Sequence, residues 1–254
     1  CPSEKFLQNA NGPGNKWNNN GPWVDAGIKQ RAGVEAAYAR PDFVGYNLPQ
    51  WPINKEQPAM IEMISAQEID IVKLKELLVQ AKVSPPIVYR WKDHYTIFGR
   101  VPDLFSLKEK LKRNFPTAQV KNYDDLFYEF NRSHCSDTST AREWDHIILT
   151  ANLVADPKLQ KEYLDYHATQ FQKWPEMAKG FCNANFQQLL LFRNGRQLML
   201  VISIPKGESL DKLNPKTTEN NPRVDEWNKI MKKYQEGIAG TAKGETWIFL
   251  EALK

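Results

Sequence analysis

The sequence predicts an α+β protein built from two tandem ferredoxin-like βαββαβ domains, packed sheet to sheet as a pseudo-dimeric α+β barrel within one chain. Three observations carry this prediction. Two stretches of the 254-residue chain run through the same order of elements, each places a hairpin signal between two helical periodicities, and a polar, turn-forming segment separates them. A ferredoxin-like sheet is covered by helices on one face only, so packing the two open faces together buries both.

The first half spans residues 57–132. Residues 58–66 read as a strand, and 69–82, IDIVKLKELLVQAK, as a helix with apolar positions at Ile71, Leu74, Leu77 and Leu78. Pro85-Pro86 stops that helix. IVYRW and YTIFGRV then flank the polar turn Lys92-Asp93-His94, a hairpin signal that leaves His94 exposed. Residues 104–114 give a second helix, and 118–130, AQVKNYDDLFYEF, a single returning strand.

Residues 133–142 are polar and suit an inter-domain linker. The second half, 143–254, repeats the order by pattern, with little residue identity to the first. Residues 144–154 alternate as a strand. Asp156-Pro157 opens a helix, Asp as N-cap and Pro at the first helical position. That helix is expected to run from 156 to 176 as one amphipathic element, closing on Trp174-Pro175-Glu176, with Pro175 bending it. LLLFRNGRQLMLVISI is a hairpin turning at Asn194-Gly195. Residues 222–236 form the next helix, and 245–253 the last strand.

Ahead of both halves, residues 1–56 are rich in Asn, Gly and Pro yet carry Trp17, Trp23 and Trp51. Linkers seldom hold that many tryptophans, so this arm is expected to lie against the body, with a short helix over 28–38 before Pro41.

Composition narrows the function classes. A chain 41% hydrophobic and 25% charged is ordinary for a folded domain. The net charge of +4 is interspersed, and no basic stripe interleaved with aromatics points to nucleic acid. No apolar run approaches the roughly 20 residues of a membrane span. Cys1, Cys135 and Cys182 show neither CxxC nor metal-ligand spacing, so no metal site is expected. His134-Cys135 reads as a linker flank and Cys182 as a small buried apolar group in a turn. Cys1, followed by a polar run, has the form of the lipid-bearing Cys of a mature bacterial lipoprotein, which predicts the cell envelope or periplasm. The alternative is an arbitrary chain boundary and a cytoplasmic protein.

The chemistry concentrates on the helix after Asp156. Tyr163 and His167 stand four residues apart, so their Cβ atoms are roughly 5–6 Å from each other on one face. A phenol beside an imidazole can grip a hydroxylated substrate and move protons near neutrality. His146, on the alternating strand before the helix, is a second acid/base candidate if it faces the barrel interior. Arg193, Arg196 and Asp165 read as exposed charge. The first half offers no comparable pair, so one site per chain is expected.

Glu162-Tyr163-x-x-x-His167, Trp174-Pro175-Glu176, NFQQLLLFRNGRQLMLV, PRVDEWNKIM and ETWIFLE follow one another in an order that resembles the L-rhamnose mutarotases, over about residues 144–254. The resemblance implies a small α+β barrel that interconverts the anomers of a pyranose without a cofactor or metal. The partner is then a small-molecule sugar, and the chain a monomeric pseudo-dimer. It implies His167 as proton donor and Tyr163 as a sugar-binding side chain. Trp227 and Asn228 stand where the family carries a tandem Trp-Trp. Phe186, or Gln187 if the hairpin is one residue longer, stands where it carries a sugar-contacting Tyr. Six residues, ATQFQK, separate His167 from Trp174 where the family has three, which displaces the Trp174 end by nearly one helical turn.

Mutarotation needs a proton delivered to the ring oxygen while another leaves the anomeric hydroxyl. Positioned acid–base groups typically contribute 10²–10⁴-fold, which suits a reaction that already proceeds unaided. Two rival readings keep the barrel. One is a non-catalytic carbohydrate-binding or interaction protein. The other is a different cofactor-free barrel enzyme, such as a monooxygenase or decarboxylase.

Overall fold

A computed structural model describes residues 58–253. The N-terminal extension, with Cys1, its tryptophans and the helix expected over 28–38, lies outside the described residues.

The chain forms a mixed α/β structure around one curled antiparallel sheet. The first half gives β1 (Pro58–Ile64), α1 (Ile71–Gln80), β2 (Val88–Trp91), β3 (His94–Arg100), α2 (Leu104–Asn114), β4 (Gln119–Asn122) and β5 (Asp125–Asn131). The second gives β6 (Trp144–Leu153), α3 (Pro157–Ala168), α4 (Gln170–Lys173), α5 (Pro175–Asn183), β7 (Gln188–Asn194), β8 (Gln197–Pro205), α6 (Leu210–Leu213), α7 (Pro222–Met231), β9 (Gln235–Glu236) and β10 (Ile248–Leu253). Three helix starts follow side-chain capping. Asp70, Asp103 and Asp156 each accept a hydrogen bond from a backbone N–H of the first turn they precede, and Pro157 sits at the first helical position.

The strand order is β4-β1-β3-β2-β10-β6-β8-β7-β5, with β9 beside β6. Within it the first half reads β4-β1-β3-β2, and the second repeats that arrangement as β10-β6-β8-β7. Two ladders join the halves: β10 on β2 (Ala252 opposite Tyr89) and β5 on β7 (Phe130 opposite Leu189). β4 and β5, the two ends of the path, are consecutive pieces of chain separated by Tyr123-Asp124. The sheet therefore curls until its ends meet there. This corrects the single strand expected over 118–130: it breaks at Tyr123-Asp124, its first part pairing with β1 and its second with β7.

Period-two alternation sorts the sheet's side chains into layers. Ile61, Met63, Tyr95 and Ile97 pack under α1 and α2 through Leu74, Leu78, Leu107 and Leu111. Leu149, Leu189, Leu191 and Ile202 lie under the helices of the second half. Between the halves, Met60, Tyr89 and Phe98 meet Ile148, Leu190, Phe192, Met199 and Val201 in a shared interior.

Four further expectations are corrected. The helix foreseen over 156–176 ends at Ala168, because the Thr169 backbone N–H turns back to Asp165 and His167; α4 follows, and Pro175 opens α5 rather than bending a continuous helix. Cys135 and Cys182 form a disulfide across 47 residues, so neither is a linker flank or a lone apolar group, and Cys182 lies on α5, not in a turn. The hairpin loop is Gly195-Arg196, with Asn194 still paired to Gln197; Gly195 takes the positive φ of 59° that the tight turn needs. His94 belongs to β3, not to the turn, and is buried.

The His94 correction exposes a polar node in the shared interior. His94 Nδ1 is 2.9 Å from Glu62 Oε1, to which Gln197 of the second half also donates at 3.1 Å. Tyr123 donates to Glu62 Oε2 at 3.0 Å, and Lys121 lies 3.4 Å from it. Glu62 is fully buried, which raises a carboxyl pKa, but His94, Lys121 and Tyr123 outweigh burial and hold it below the usual carboxylate range. The first half is therefore not empty of acid–base groups, though its carboxylate has all its partners.

Candidate active site

A cavity of about 360 Å³ opens between the second half's sheet and its helices. Leu189, Leu191, Leu200 and Ile202 of β7 and β8 line its apolar face, and α3 and α7 bring Tyr163, His167, Trp227 and Asn228 to it. Phe186 also lines it. That volume lies in the range of small-ligand pockets. Of the sequence-predicted residues, five therefore converge: Tyr163, His167, Trp227, Asn228 and Phe186.

The other two lie elsewhere. Gln187 is buried but points away, donating to Asn185 and accepting from the Ala141 N–H at 2.7 Å, so it fastens the segment before β6. His146 faces the interior between the halves, Nδ1 2.9 Å from Ser203 Oγ and its ring edge-on to Phe98. The strand alternation that puts Leu149 under the helices puts His146 and Ile148 on the opposite side of the sheet. It faces the interior as the sequence reading required of it, but on the side of the sheet away from this cavity.

His167 is 5% exposed and ringed by aromatics. Tyr163 lies 4.3 Å away by ring centroids; Trp227, Tyr128 and Phe127 stand edge-on at 5.2, 5.3 and 5.8 Å. Its Nδ1 is 2.9 Å from the Tyr163 carbonyl oxygen. A carbonyl only accepts, so the proton is on Nδ1. Burial pushes the imidazole pKa down to about 4, against a smaller upward pull from that carbonyl. At neutral pH the ring is uncharged and Nε2 is the unprotonated nitrogen. Burial also drives the Tyr163 phenol well above its ordinary value, so it acts as a neutral hydroxyl. Gln235 donates to that hydroxyl at 3.3 Å and is itself held by the Trp247 indole N–H at 3.2 Å.

Trp174 does not line the cavity. It packs edge-on against Trp227 at 5.5 Å and carries the Arg223 guanidinium over its other side at 3.8 Å, so it buttresses the cavity wall from behind. Among the lining residues absent from the sequence reading are Tyr128 of β5 and Gln170 of α4, whose side chains meet at 2.5 Å. Neither carries a motif: one follows a strand irregularity, and the other sits in the stretch that lengthens the helix connection. Dents of similar size occur outside α3 and where β4 meets β5. The acids of the former are already paired, Glu162 with Lys233 and Asp165 with Lys161.

An apolar cavity with an aromatic wall, a buried neutral imidazole and a few convergent hydrogen-bonding groups defines a small-molecule site suited to a ligand with both a nonpolar face and hydroxyls. Residues 146–253 match the family model for L-rhamnose mutarotase. An L-fucose mutarotase of Xanthomonas campestris is 28% identical over 93 residues, 36% of this chain and 72% of its own. A UPF0734 protein of Dictyostelium discoideum is 28% identical over 100 residues, 38% of this chain and 77% of its own. The second half is thus similar to the L-rhamnose mutarotase family over residues 146–253, while the residues before 146 lie outside the matched span. Among solved structures, a heme-degrading enzyme of Listeria monocytogenes aligns over 77% of this chain and 99% of its own with a TM-score of 0.39 and 9% identity, too loose a likeness to argue from.

Proposed function

We propose that the protein binds a pyranose, L-rhamnose or a related sugar, in the cavity of its second half and interconverts its anomers by proton transfer through His167. The observation that carries this reading is the convergence of Tyr163, His167 and Trp227 on one cavity in a stretch that matches a mutarotase family. Trp227 offers an aromatic face to the C–H face of the ring, Tyr163 and Asn228 offer hydroxyl contacts, and the β7–β8 leucines suit a nonpolar sugar substituent such as a methyl group.

The neutral imidazole sets the order of steps. Nε2 takes the proton from the anomeric hydroxyl as the C1–ring-oxygen bond breaks and C1 becomes a carbonyl. The imidazolium so formed has a low pKa and hands its proton to the ring oxygen. The open aldehyde turns about the C1–C2 bond, and the steps reverse on the other face. Positioned acid–base catalysis of this kind typically contributes 10²–10⁴-fold.

We also read the two halves as a duplicated ferredoxin-like βαββαβ unit in which the first half takes the place of a partner subunit, leaving the chain a monomeric pseudo-dimer. The repeated strand order supports this. The Cys135–Cys182 disulfide supports an oxidising location such as the cell envelope or periplasm, since cytosolic thiols are usually kept reduced.

Saturation-transfer NMR on L-rhamnose, L-fucose and related sugars tests the activity. Accelerated anomer exchange by the wild type, lost in His167→Gln, is the expected result. Exchange that survives His167→Gln removes the assignment. A wild type that binds a sugar without exchanging it identifies a carbohydrate-binding protein instead.

A further inference from the structure

We propose that Gln170, held in place by Tyr128, is a hydroxyl-binding side chain of the sugar cavity, so that the first half of the chain completes the site of the second. The ligand class rests on the mutarotase reading; the geometry does not.

Gln170 is 2% exposed yet lines the cavity. Its amide oxygen accepts from the Tyr128 hydroxyl at 2.5 Å, while its amide nitrogen makes no hydrogen bond among the described residues. That nitrogen is not among the fully buried unpartnered polar atoms, so it keeps some exposure. A ligand that covers it must supply an acceptor or leave an unsatisfied N–H, at a cost of about 1–3 kcal/mol. A ligand oxygen in the cavity satisfies it. Tyr128 fixes which end of the carboxamide faces inward, because its own hydroxyl needs an acceptor and takes the oxygen.

Two departures from regular structure deliver this pair. The α3 helix stops at Ala168, and the residues between His167 and Trp174 turn there to send Gln170 inward. On β5 the register slips between Leu126 and Tyr128. Leu126 lies opposite Phe192 and faces the interior between the halves. Two residues further along a regular strand, Tyr128 would face the same interior. The bulge places it opposite Leu191 instead, on the cavity side, with its ring 5.3 Å from His167. Bulges that re-aim one side chain are common beside functional sites.

The pair also accounts for a gap. Phe186 lines the cavity at the hairpin position but carries no hydroxyl. The polar contact comes instead from the Gln170 amide, set by Tyr128 on a strand that leaves the first half to pair with β7. Tyr128 acts as a positioning residue and Gln170 as the one that meets the sugar.

Titrations of L-rhamnose and L-fucose followed by saturation-transfer difference NMR, together with anomer-exchange kinetics, test this. Gln170→Leu keeps the volume and deletes the amide; it is expected to weaken sugar binding and raise KM about tenfold or more, with kcat less affected. Tyr128→Phe is expected to weaken binding less and to add nothing in the Gln170→Leu background, since the two act as a unit. Gln170→Asn, which keeps an amide, is expected to recover part of the loss. A purely structural role would lower thermal stability in these variants while leaving KM unchanged, and that outcome overturns the proposal. So does an additive double variant. If the wild type binds a sugar without exchanging its anomers, the mutarotase reading fails alone and Gln170→Leu still decides this one through binding. If it binds neither sugar, both are overturned.

Discussion

His167 is the residue whose chemistry depends most on its surroundings. Four residues after Tyr163 on a capped helix, it was bound to share that residue's face, and this much was legible in the sequence. Its protonation state was not, because the rings that dry it come from β5 and α7, distant in sequence. An imidazole that titrates near pH 4 behaves as a base at neutrality, whereas the family resemblance presented His167 as a proton donor. The order of proton transfers changes accordingly, and a pH profile reads it. With kcat/KM reporting the free protein, anomer exchange is expected to stay level from neutrality to about pH 5 and fall with an apparent pKa near 4. Stability follows the same group. The folded pKa lies below the unfolded value of about 6.5, so between them the unfolded chain binds the extra proton, and stability is lost as pH falls through that window. At about 1.4 kcal/mol per pH unit, the interval from about 6.5 to about 4 amounts to about 3 kcal/mol. Urea unfolding at pH 7 and pH 4.5 is expected to show much of this fall in the wild type and a smaller one in His167→Gln. Equal slopes in both would mean the imidazole is not held neutral.

Single elements were legible where local chemistry dictates them and illegible where a distant partner does. Asp156-Pro157 opens α3 as its residue types require, and Gly195 turns the β7–β8 hairpin. By contrast, Cys135 and Cys182 carry no spacing motif, because a disulfide depends on two backbones meeting and not on sequence interval. The split of 118–130 into β4 and β5, and the bulge in β5, likewise arise from strands the segment pairs with far along the chain. The disulfide ties the short turn after β5 to α5, the helix that follows Trp174. It thus clips the strand bearing Tyr128 to a wall of the cavity. In the chain-entropy account, closing a loop of this length stabilises by about 4 kcal/mol. A Cys135→Ala/Cys182→Ala variant is therefore expected to lose a few kcal/mol by urea unfolding and to bind sugar more weakly, as β5 and α5 gain freedom. Wild-type affinity in that variant would show that the ladder with β7 alone holds Tyr128 in place.

At the scale of the described residues, the two halves are held by several means, and none is available to the second half alone. β5 crosses over to pair with β7, β10 fills the gap between β2 and β6, and the shared interior joins Met60, Tyr89 and Phe98 to Ile148, Leu190 and Met199. Glu62 adds a directional link, since Gln197 of the second half reaches across to its carboxylate and also donates to Thr150 at 3.1 Å. A fragment of residues 143–253 would lose the partners of β7 and β10 together, exposing two strand edges and the apolar interior face at once. Unpaired edges and a bare apolar sheet face are templates for association. The fragment is therefore expected to self-associate, either as a dimer in which a second copy covers that face or as larger aggregates, in sedimentation velocity and light scattering. It also lacks Tyr128, so even a well-formed dimer is expected to bind sugar less tightly than the full chain. A monomeric, cooperatively folded fragment with full affinity would mean that the first half serves some other purpose than completing the barrel and its site.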